Sequence, residues 1–305
     1  MRTGVDGLAC RGMSAVGAEH EVRTAGRRVL HVREAGDPDG APVLVHHGTP
    51  GSGLLAASWA EDARTRGIRL VGMDRPGYGG SDRNPGRAVR DVAADAAAVM
   101  DALGVGSFRT WGNSGGGPHA LACAALLPER VTSAAVIASV APFGADGLDW
   151  MAGMGRANVE EFSAAVEGPD ALRPFLARES AELVAGGPAG LTTGLASLLP
   201  PVDAEALTGE FGDFLYARIS AGLRAGHDGW LDDDLAFVRP WGFDPAAITM
   251  PVLMLQGRQD LMVPFTHGQW LAARIPGVTA WLTDDDGHLN LYAQVGRVHE
   301  WLLQH

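Results

Sequence analysis

A serine set among glycines, Gly112-Asn113-Ser114-Gly115-Gly116, stands where an apolar run from Phe108 to Trp111 meets an alanine-rich stretch from Pro118 to Leu127. The first run reads as a strand and the second as a helix, which puts Ser114 at the apex of a strand–turn–helix elbow. There the serine takes strained dihedrals that lift its hydroxyl off the sheet, and the flanking glycines leave room for the turn. The helix that follows offers its positive dipole end and a free N–H on Gly115, both suited to holding an oxyanion. A glycine-rich serine turn is common by itself, so its meaning depends on partners elsewhere in the chain.

Those partners occur in a consistent order. Upstream, Pro42 to His46 reads as a buried strand running into His47-Gly48-Thr49-Pro50-Gly51, a loop that brings a backbone N–H opposite that of Gly115. Thr49 is the expected donor, with Gly48 adjacent. Downstream, Pro251 to Gly257 is another buried strand, and Asp260 follows it in a loop. A helical stretch around Phe265 to Arg274 and a short strand from Val278 to Leu282 lead to His288, just before a final amphipathic helix. His299 and His305 sit within or at the end of that helix, which leaves His288 as the histidine between a strand and a helix. The acid has a second candidate, Asp146, which follows the sixth expected strand.

These motifs, together with Asp74-Arg75-Pro76-Gly77-Tyr78-Gly79-Gly80-Ser81-Asp82, give the chain its resemblance to serine hydrolases of the α/β-hydrolase superfamily that carry a cap domain. The resemblance runs from about Glu19 to the C-terminus. It implies an α/β fold, a mostly parallel eight-stranded sheet flanked by helices, and a Ser114–His288–Asp260 triad at the strand C-termini. The oxyanion loop is similar to that of proline iminopeptidases, with Thr49 in place of their second glycine, and the elbow is similar to the G-N-S of meta-cleavage product hydrolases.

Alternation of strand-like and helix-like runs predicts strands near 20–24, 28–35, 42–47, 68–73, 107–112, 132–139, 251–257 and 278–283. Between 142 and 244 no valine- or isoleucine-rich strand appears, only amphipathic segments carrying aromatic and methionine side chains. This predicts a helical cap at 142–244 inserted into a core of 19–141 and 245–305, with an apolar pocket between them for a small-molecule ligand. Trp150 and Trp230 are the expected substrate contacts from the cap. Residues 1–18 read as a partly disordered lead-in without the apolar core of a secretory signal.

Composition narrows the function classes. The chain has 305 residues and a formal net charge of −12, which opposes nucleic acid and anionic membranes as partners. No apolar stretch reaches a membrane-spanning length. Its two cysteines, Cys10 and Cys123, suit a reducing, cytoplasmic setting without a framework disulfide. His46 and His47 alternate across a strand and shape the loop rather than bind metal. Asp232-Asp233-Asp234 and Asp284-Asp285-Asp286 lack a calcium-loop pattern and read as solvated turns. Gly115-x-Gly117-x-x-Ala120 meets a loose dinucleotide fingerprint, but the next strand ends without the acidic residue that motif requires.

The residues therefore predict a hydrolase acting on small, largely apolar esters. Ser114 is the nucleophile, His288 the base, Asp260 its orienting acid, and the Thr49 and Gly115 amides the oxyanion hole. That chemistry requires no cofactor and no metal. Amide, lactone, thioester and carbon–carbon substrates use the same machinery, and an aminopeptidase is the leading alternative. It would need a pocket carboxylate for the substrate ammonium, for which the cap offers Glu160, Glu161, Glu182, Glu205 and Glu210. A ligand-binding receptor on the same fold is the alternative from a different class.

Overall fold

The computed structural model describes residues 17–305. Cys10 and most of the expected lead-in lie outside the described residues. Gly17 and Ala18 already pair with the sheet: Gly17 donates its N–H to the Glu34 carbonyl, and Glu34 donates to that of Ala18.

Eight strands form one sheet: β1 (Glu19–Arg23), β2 (Val29–Gly36), β3 (Ala41–His46), β4 (Ile68–Met73), β5 (Phe108–Asn113), β6 (Val131–Ile137), β7 (Val252–Gly257) and β8 (Thr279–Thr283). Their spatial order is β1-β2-β4-β3-β5-β6-β7-β8. β2 pairs antiparallel with β1 and β4, while every pair from β4 through β8 is parallel. Each strand lies within two residues of its sequence expectation. The reason is visible in burial: β7 is buried along its whole length, and β3, β4, β5 and β6 along most of theirs. Strands covered on both faces by helices are written as continuous apolar runs.

The crossover helices are α1 (Ala57–Thr65), α2 (Val92–Ala102) and α3 (Gly117–Leu126), with α10 (Phe265–Ala272) and α11 (Val295–Gln304) near the C-terminus. The chain leaves β3 toward β4 through α1, then returns past β3 to β5 through α2. Right-handed crossovers in opposite directions put these two helices on opposite faces of the sheet. α1 packs with α11, and α2 packs with α3. The strand order reverses at β3, so the loops after β3 and β5 diverge from neighbouring strand ends and open a crevice between them. The β3–β5 register sets His46 opposite Gly112, which brings the two loops together.

Between β6 and β7 the chain forms α4 (Arg156–Glu167), α5 (Pro169–Ala185), α6 (Gly187–Gly194), α7 (Pro201–Ala206), α8 (Gly209–Gly222) and α9 (Asp228–Phe237). Residues of α4, α5, α6, α8 and α9 roof a cavity whose floor is the loops after β3, β5 and β7 and the segment before α11. No described helix is long and apolar enough to cross a membrane.

The triple aspartate at 232–234 corrects the sequence reading. These residues lie within α9, buried along almost all its length. Successive helix positions point about 100° apart, and the three carboxylates meet three different environments. Asp232 receives the Arg83 guanidinium at 2.7 and 2.9 Å. Asp233 receives Arg75 at 2.6 Å and Arg87 at 2.6 Å. Asp234 lines the cavity, as does Glu161. Asp284 and Asp285 are exposed, as a solvated turn requires.

Candidate active site

β5 ends at Asn113, and Ser114 adopts φ of 52°, in the left-handed region. For a residue with a Cβ this costs about 1–2 kcal/mol, and the surroundings hold it there. Gly116 runs against β3 so closely that an added Cβ would sit 2.7 Å from the His47 carbonyl oxygen. Gly48 passes equally close on the other side, where a Cβ would meet Asn113 Nδ2 at 2.8 Å. The Asn113 side chain donates to the Tyr292 hydroxyl and accepts from Arg218 Nη1 at 3.3 Å. The base of the elbow is thus tied to both the helical insertion and the C-terminal segment.

His288 is 2% exposed, and its Nδ1–H donates to Asp260 Oδ2 at 2.8 Å. This bond fixes the tautomer and leaves Nε2 free to accept a proton. The Asp260 carboxylate is itself fully occupied. Oδ1 accepts from the Met262 and Val263 amides, both at 2.8 Å, and Oδ2 also accepts from Gln256 Nε2 at 3.0 Å. Burial opposes a charged His288, but the charge and hydrogen bond of Asp260, with the charge of Asp203 behind, outweigh it and raise the imidazole pKa above 6.5. Ser114 and His288 line the same cavity. Among the described residues Ser114 Oγ makes no side-chain hydrogen bond, a common state for such a pair before substrate is bound. Asp146 is exposed and only its backbone carbonyl is engaged, by Trp270 Nε1 at 3.0 Å, so it does not join the group.

Thr49 and Gly115 face each other across the cavity floor, close enough that a Cβ on Gly115 would meet Thr49 Cβ at 2.8 Å. The Thr49 backbone N–H has no acceptor among the described residues. The loop is held from behind by Arg75, whose guanidinium donates to the His47 carbonyl, to the Gly48 carbonyl at 3.2 Å and to Thr49 Oγ1 at 2.9 Å. Thr49 Oγ1 in turn donates to Asp233 Oδ2 at 2.7 Å, and Tyr78 donates to the same oxygen at 2.8 Å. Paired arginines more than offset the burial of Asp233 and hold its carboxyl well below the usual range. The segment around Asp74 to Asp82 is therefore structural, and Arg75 and Tyr78 extend that role to the loop, which single-sequence reading missed because Asp233 lies far along the chain.

His46 and His47 are packing residues. Burial and the nearby Arg75 lower the His46 pKa to about 3. His47 donates from Nδ1 to the Gly48 carbonyl at 2.7 Å and accepts the Arg75 amide at Nε2 at 3.1 Å. Cys123 is buried with its sulfur 3.6 Å from His46 Nε2.

A second carboxylate anchors the histidine segment. Asp203, on α7 of the insertion, is fully buried and accepts the His288 amide at 2.7 Å, the Leu289 amide at 2.7 Å and the Asn290 amide at 3.0 Å. It caps the helical turn that follows His288 from outside its own segment.

Of the two tryptophans expected at the substrate, Trp230 lines the cavity and Trp150 does not. Trp150 is locked where the chain leaves the core for the insertion. Its indole donates to the Ala141 carbonyl at 2.7 Å and packs edge-on against Phe143, Phe162 and His267. The cavity is otherwise mostly apolar, with a volume of about 130 Å³. That is below the roughly 300–1,000 Å³ of sites for drug-sized ligands and suits a small substrate.

A family model described as alpha/beta hydrolase fold matches residues 41–293. The chain belongs to the α/β hydrolase fold family. Curated relatives include a non-heme chloroperoxidase of Streptomyces lividans, 33% identical over 40% of this chain and 45% of that protein. They also include a 2-hydroxy-6-oxononadienedioate/2-hydroxy-6-oxononatrienedioate hydrolase of Burkholderia vietnamiensis, 38% identical over 33% of this chain and 37% of that one. A proline iminopeptidase of Neisseria gonorrhoeae is 33% identical over 33% and 34%. These matches span less than half the length of each relative. Among solved structures, a hydrolase from Pseudomonas aeruginosa PA01 superposes with a TM-score of 0.68 at 20% identity, covering 95% of this chain and 98% of that one. An esterase from Rhodococcus sp. ECU1013 gives 0.62 at 23% identity, over 94% and 99%. At these identities the likeness is one of fold.

Proposed function

We propose that this chain is a serine hydrolase that cleaves small, largely apolar carboxylic esters through an acyl-enzyme. The observation that carries the reading is the 2.8 Å bond from Nδ1 of His288, which lines one cavity with Ser114, to Asp260. His288 Nε2 takes the Ser114 hydroxyl proton as Oγ bonds to the substrate carbonyl carbon. The resulting oxyanion is held by the Thr49 and Gly115 N–H groups. When the intermediate collapses, the C–O bond to the leaving alkoxide breaks and the imidazolium returns the proton to that oxygen. Water then repeats the sequence on the acyl-enzyme. Asp260 keeps the tautomer and stabilises the imidazolium without taking a proton. The small, apolar cavity supports an ester with a short acyl group.

Fluorophosphonate labelling of the folded protein tests the nucleophile. Covalent modification is expected at Ser114 and absent from Ser114→Ala. Kinetics on p-nitrophenyl esters, lactones and aminoacyl amides then sort the scissile bond, with short esters expected to be turned over best. Folded protein left unlabelled at Ser114 would overturn the reading.

A further inference from the structure

A second cavity adjoins the catalytic one. Its volume is about 410 Å³ against about 130 Å³, within the roughly 300–1,000 Å³ of small-molecule sites. Four of its lining side chains are aromatic: Trp59 of α1, Phe211 and Phe214 of α8, and Tyr292 in the segment before α11. Trp59 stacks on Tyr292 with ring centres 5.7 Å apart, Phe214 meets Trp59 edge-on at 5.1 Å, and Phe211 tilts against Tyr292 at 5.2 Å. A cluster of rings at such varied tilts offers a guest ring both faces and edges, the contacts that aromatic quadrupoles favour. Exposed Ser58, Glu210 and Ala293 open the cavity to solvent, and Glu210 is the one charged residue in its lining. An anionic guest would find no cation there, and a solvated carboxylate at the rim is worth little to a cationic one. The lining therefore selects a neutral ring.

Leu289 and Tyr292 line both cavities, so a single layer of side chains separates them at that place. Both residues are buried, and the layer is held at both ends. The Leu289 and Asn290 amides donate to Asp203 at 2.7 and 3.0 Å. The Tyr292 hydroxyl receives the side-chain amide of Asn113, the residue before Ser114. The partition thus hangs on the same framework that carries the nucleophile and the base.

We propose that the second cavity binds a neutral aromatic ring, and that Leu289 and Tyr292 are specificity-determining residues that keep the acyl group short by walling that ring site off from Ser114. The proposal rests on the reading of Ser114 as the nucleophile of an esterase. A free aromatic ligand then packs against Tyr292 while the catalytic cavity stays accessible. Cutting the two side chains back joins the spaces, and the same rings hold the aromatic tail of a longer acyl group whose carbonyl lies at Ser114.

Titration calorimetry with phenol and with cyclohexanol, its saturated counterpart, tests the ring site on the unmodified protein and on protein capped at Ser114 by a methyl fluorophosphonate. Phenol is expected to bind about tenfold more tightly than cyclohexanol, the worth of one good ring-to-ring contact. The preference should persist after capping and be lost in Phe211→Leu, which removes a ring that lines the second cavity alone. Equal affinity for the two alcohols overturns the proposal, as does a preference that capping abolishes or that survives Phe211→Leu. Kinetics test the partition. The ratio of kcat/KM for p-nitrophenyl 3-phenylpropanoate to that for p-nitrophenyl acetate should rise by about tenfold or more in Leu289→Ala/Tyr292→Ala, and in the same direction in Leu289→Ala alone. Tyr292→Phe keeps the wall and should keep the unmodified ratio, even as its absolute rates fall because Asn113 loses its acceptor. A ratio unmoved in folded Leu289→Ala and in the folded double variant overturns the partition. Phenol preference in a protein that resists fluorophosphonate would sink the hydrolase reading alone, and labelling at Ser114 without the preference would sink this one.

Discussion

At the residue scale the arrangement around His288 separates the two candidate acids. Asp260→Asn preserves shape but cannot stabilise an imidazolium and can favour the wrong tautomer, so turnover should fall on the order of 10³- to 10⁴-fold. Asp146→Asn, altering an exposed side chain, should stay near the unmodified rate; kinetics on one short ester decide, after circular dichroism shows both variants folded. The raised His288 pKa also has a pH signature. Catalysis needs the neutral base, so kcat/KM should fall on the acid side with a midpoint above 6.5. Stability runs the other way. A histidine whose pKa is higher folded than unfolded contributes fully below its unfolded value and loses that contribution as pH rises through the folded one. Activity should climb over the same range in which this increment of stability is lost, and pH profiles of kcat/KM and of the urea midpoint check the pairing. That Ser114 and His288 would share a cavity and Asp260 reach His288 was legible because each follows the end of a strand. Asp234 was not, since three consecutive aspartates look alike in sequence and only helix phase sends each to a different partner.

At the scale of elements, the loop after β3 and helix α9 behave as one piece. Arg75 grips two loop carbonyls and the Thr49 hydroxyl while binding Asp233. Lysine cannot reproduce that fork. Arg75→Lys should lower kcat on the order of 10²-fold, the usual cost of losing one oxyanion donor, while KM for a short ester moves far less. A parallel loss in both would point to misfolding, which circular dichroism would show. Asp233→Asn leaves two buried guanidinium groups short of their counter-charge and should destabilise the fold by about 3–5 kcal/mol, read from urea unfolding. Trp150 belongs at this scale too. Truncating it to alanine should cost about 3–5 kcal/mol and leave the ratio of rates on acetate and longer esters unchanged, because the indole packs at the root of the insertion. The sequence did show an aromatic-rich stretch without strands between β6 and β7. It did not show which rings face the cavity, because that depends on how each helix is rotated over the sheet, and amphipathic spacing alone does not distinguish an inward face from a helix–helix seam.

For the whole molecule, the eight-stranded sheet was readable because helices cover its central strands, β3 to β7, on both faces and these are written largely in apolar residues, whereas the cross-links between insertion and core were hidden by sequence distance. Asp203 is 85 residues from the His288 amide it receives. Asp203→Ala would strand three backbone N–H groups and should cost about 3 kcal/mol or more, at roughly 1–3 kcal/mol for each buried donor left unmet. It should lower kcat as well, since the imidazole loses the backbone that aims it; stopped-flow acylation and chemical denaturation on the same preparation check both. The same carboxylate bears on exchange between relatives. Insertions over a common sheet invite transplantation as cassettes, each bringing its own specificity. Here the cassette also carries the peg on which the recipient's histidine hangs, so a graft from a relative without an acid at this place would arrive with the pocket and leave the reaction behind.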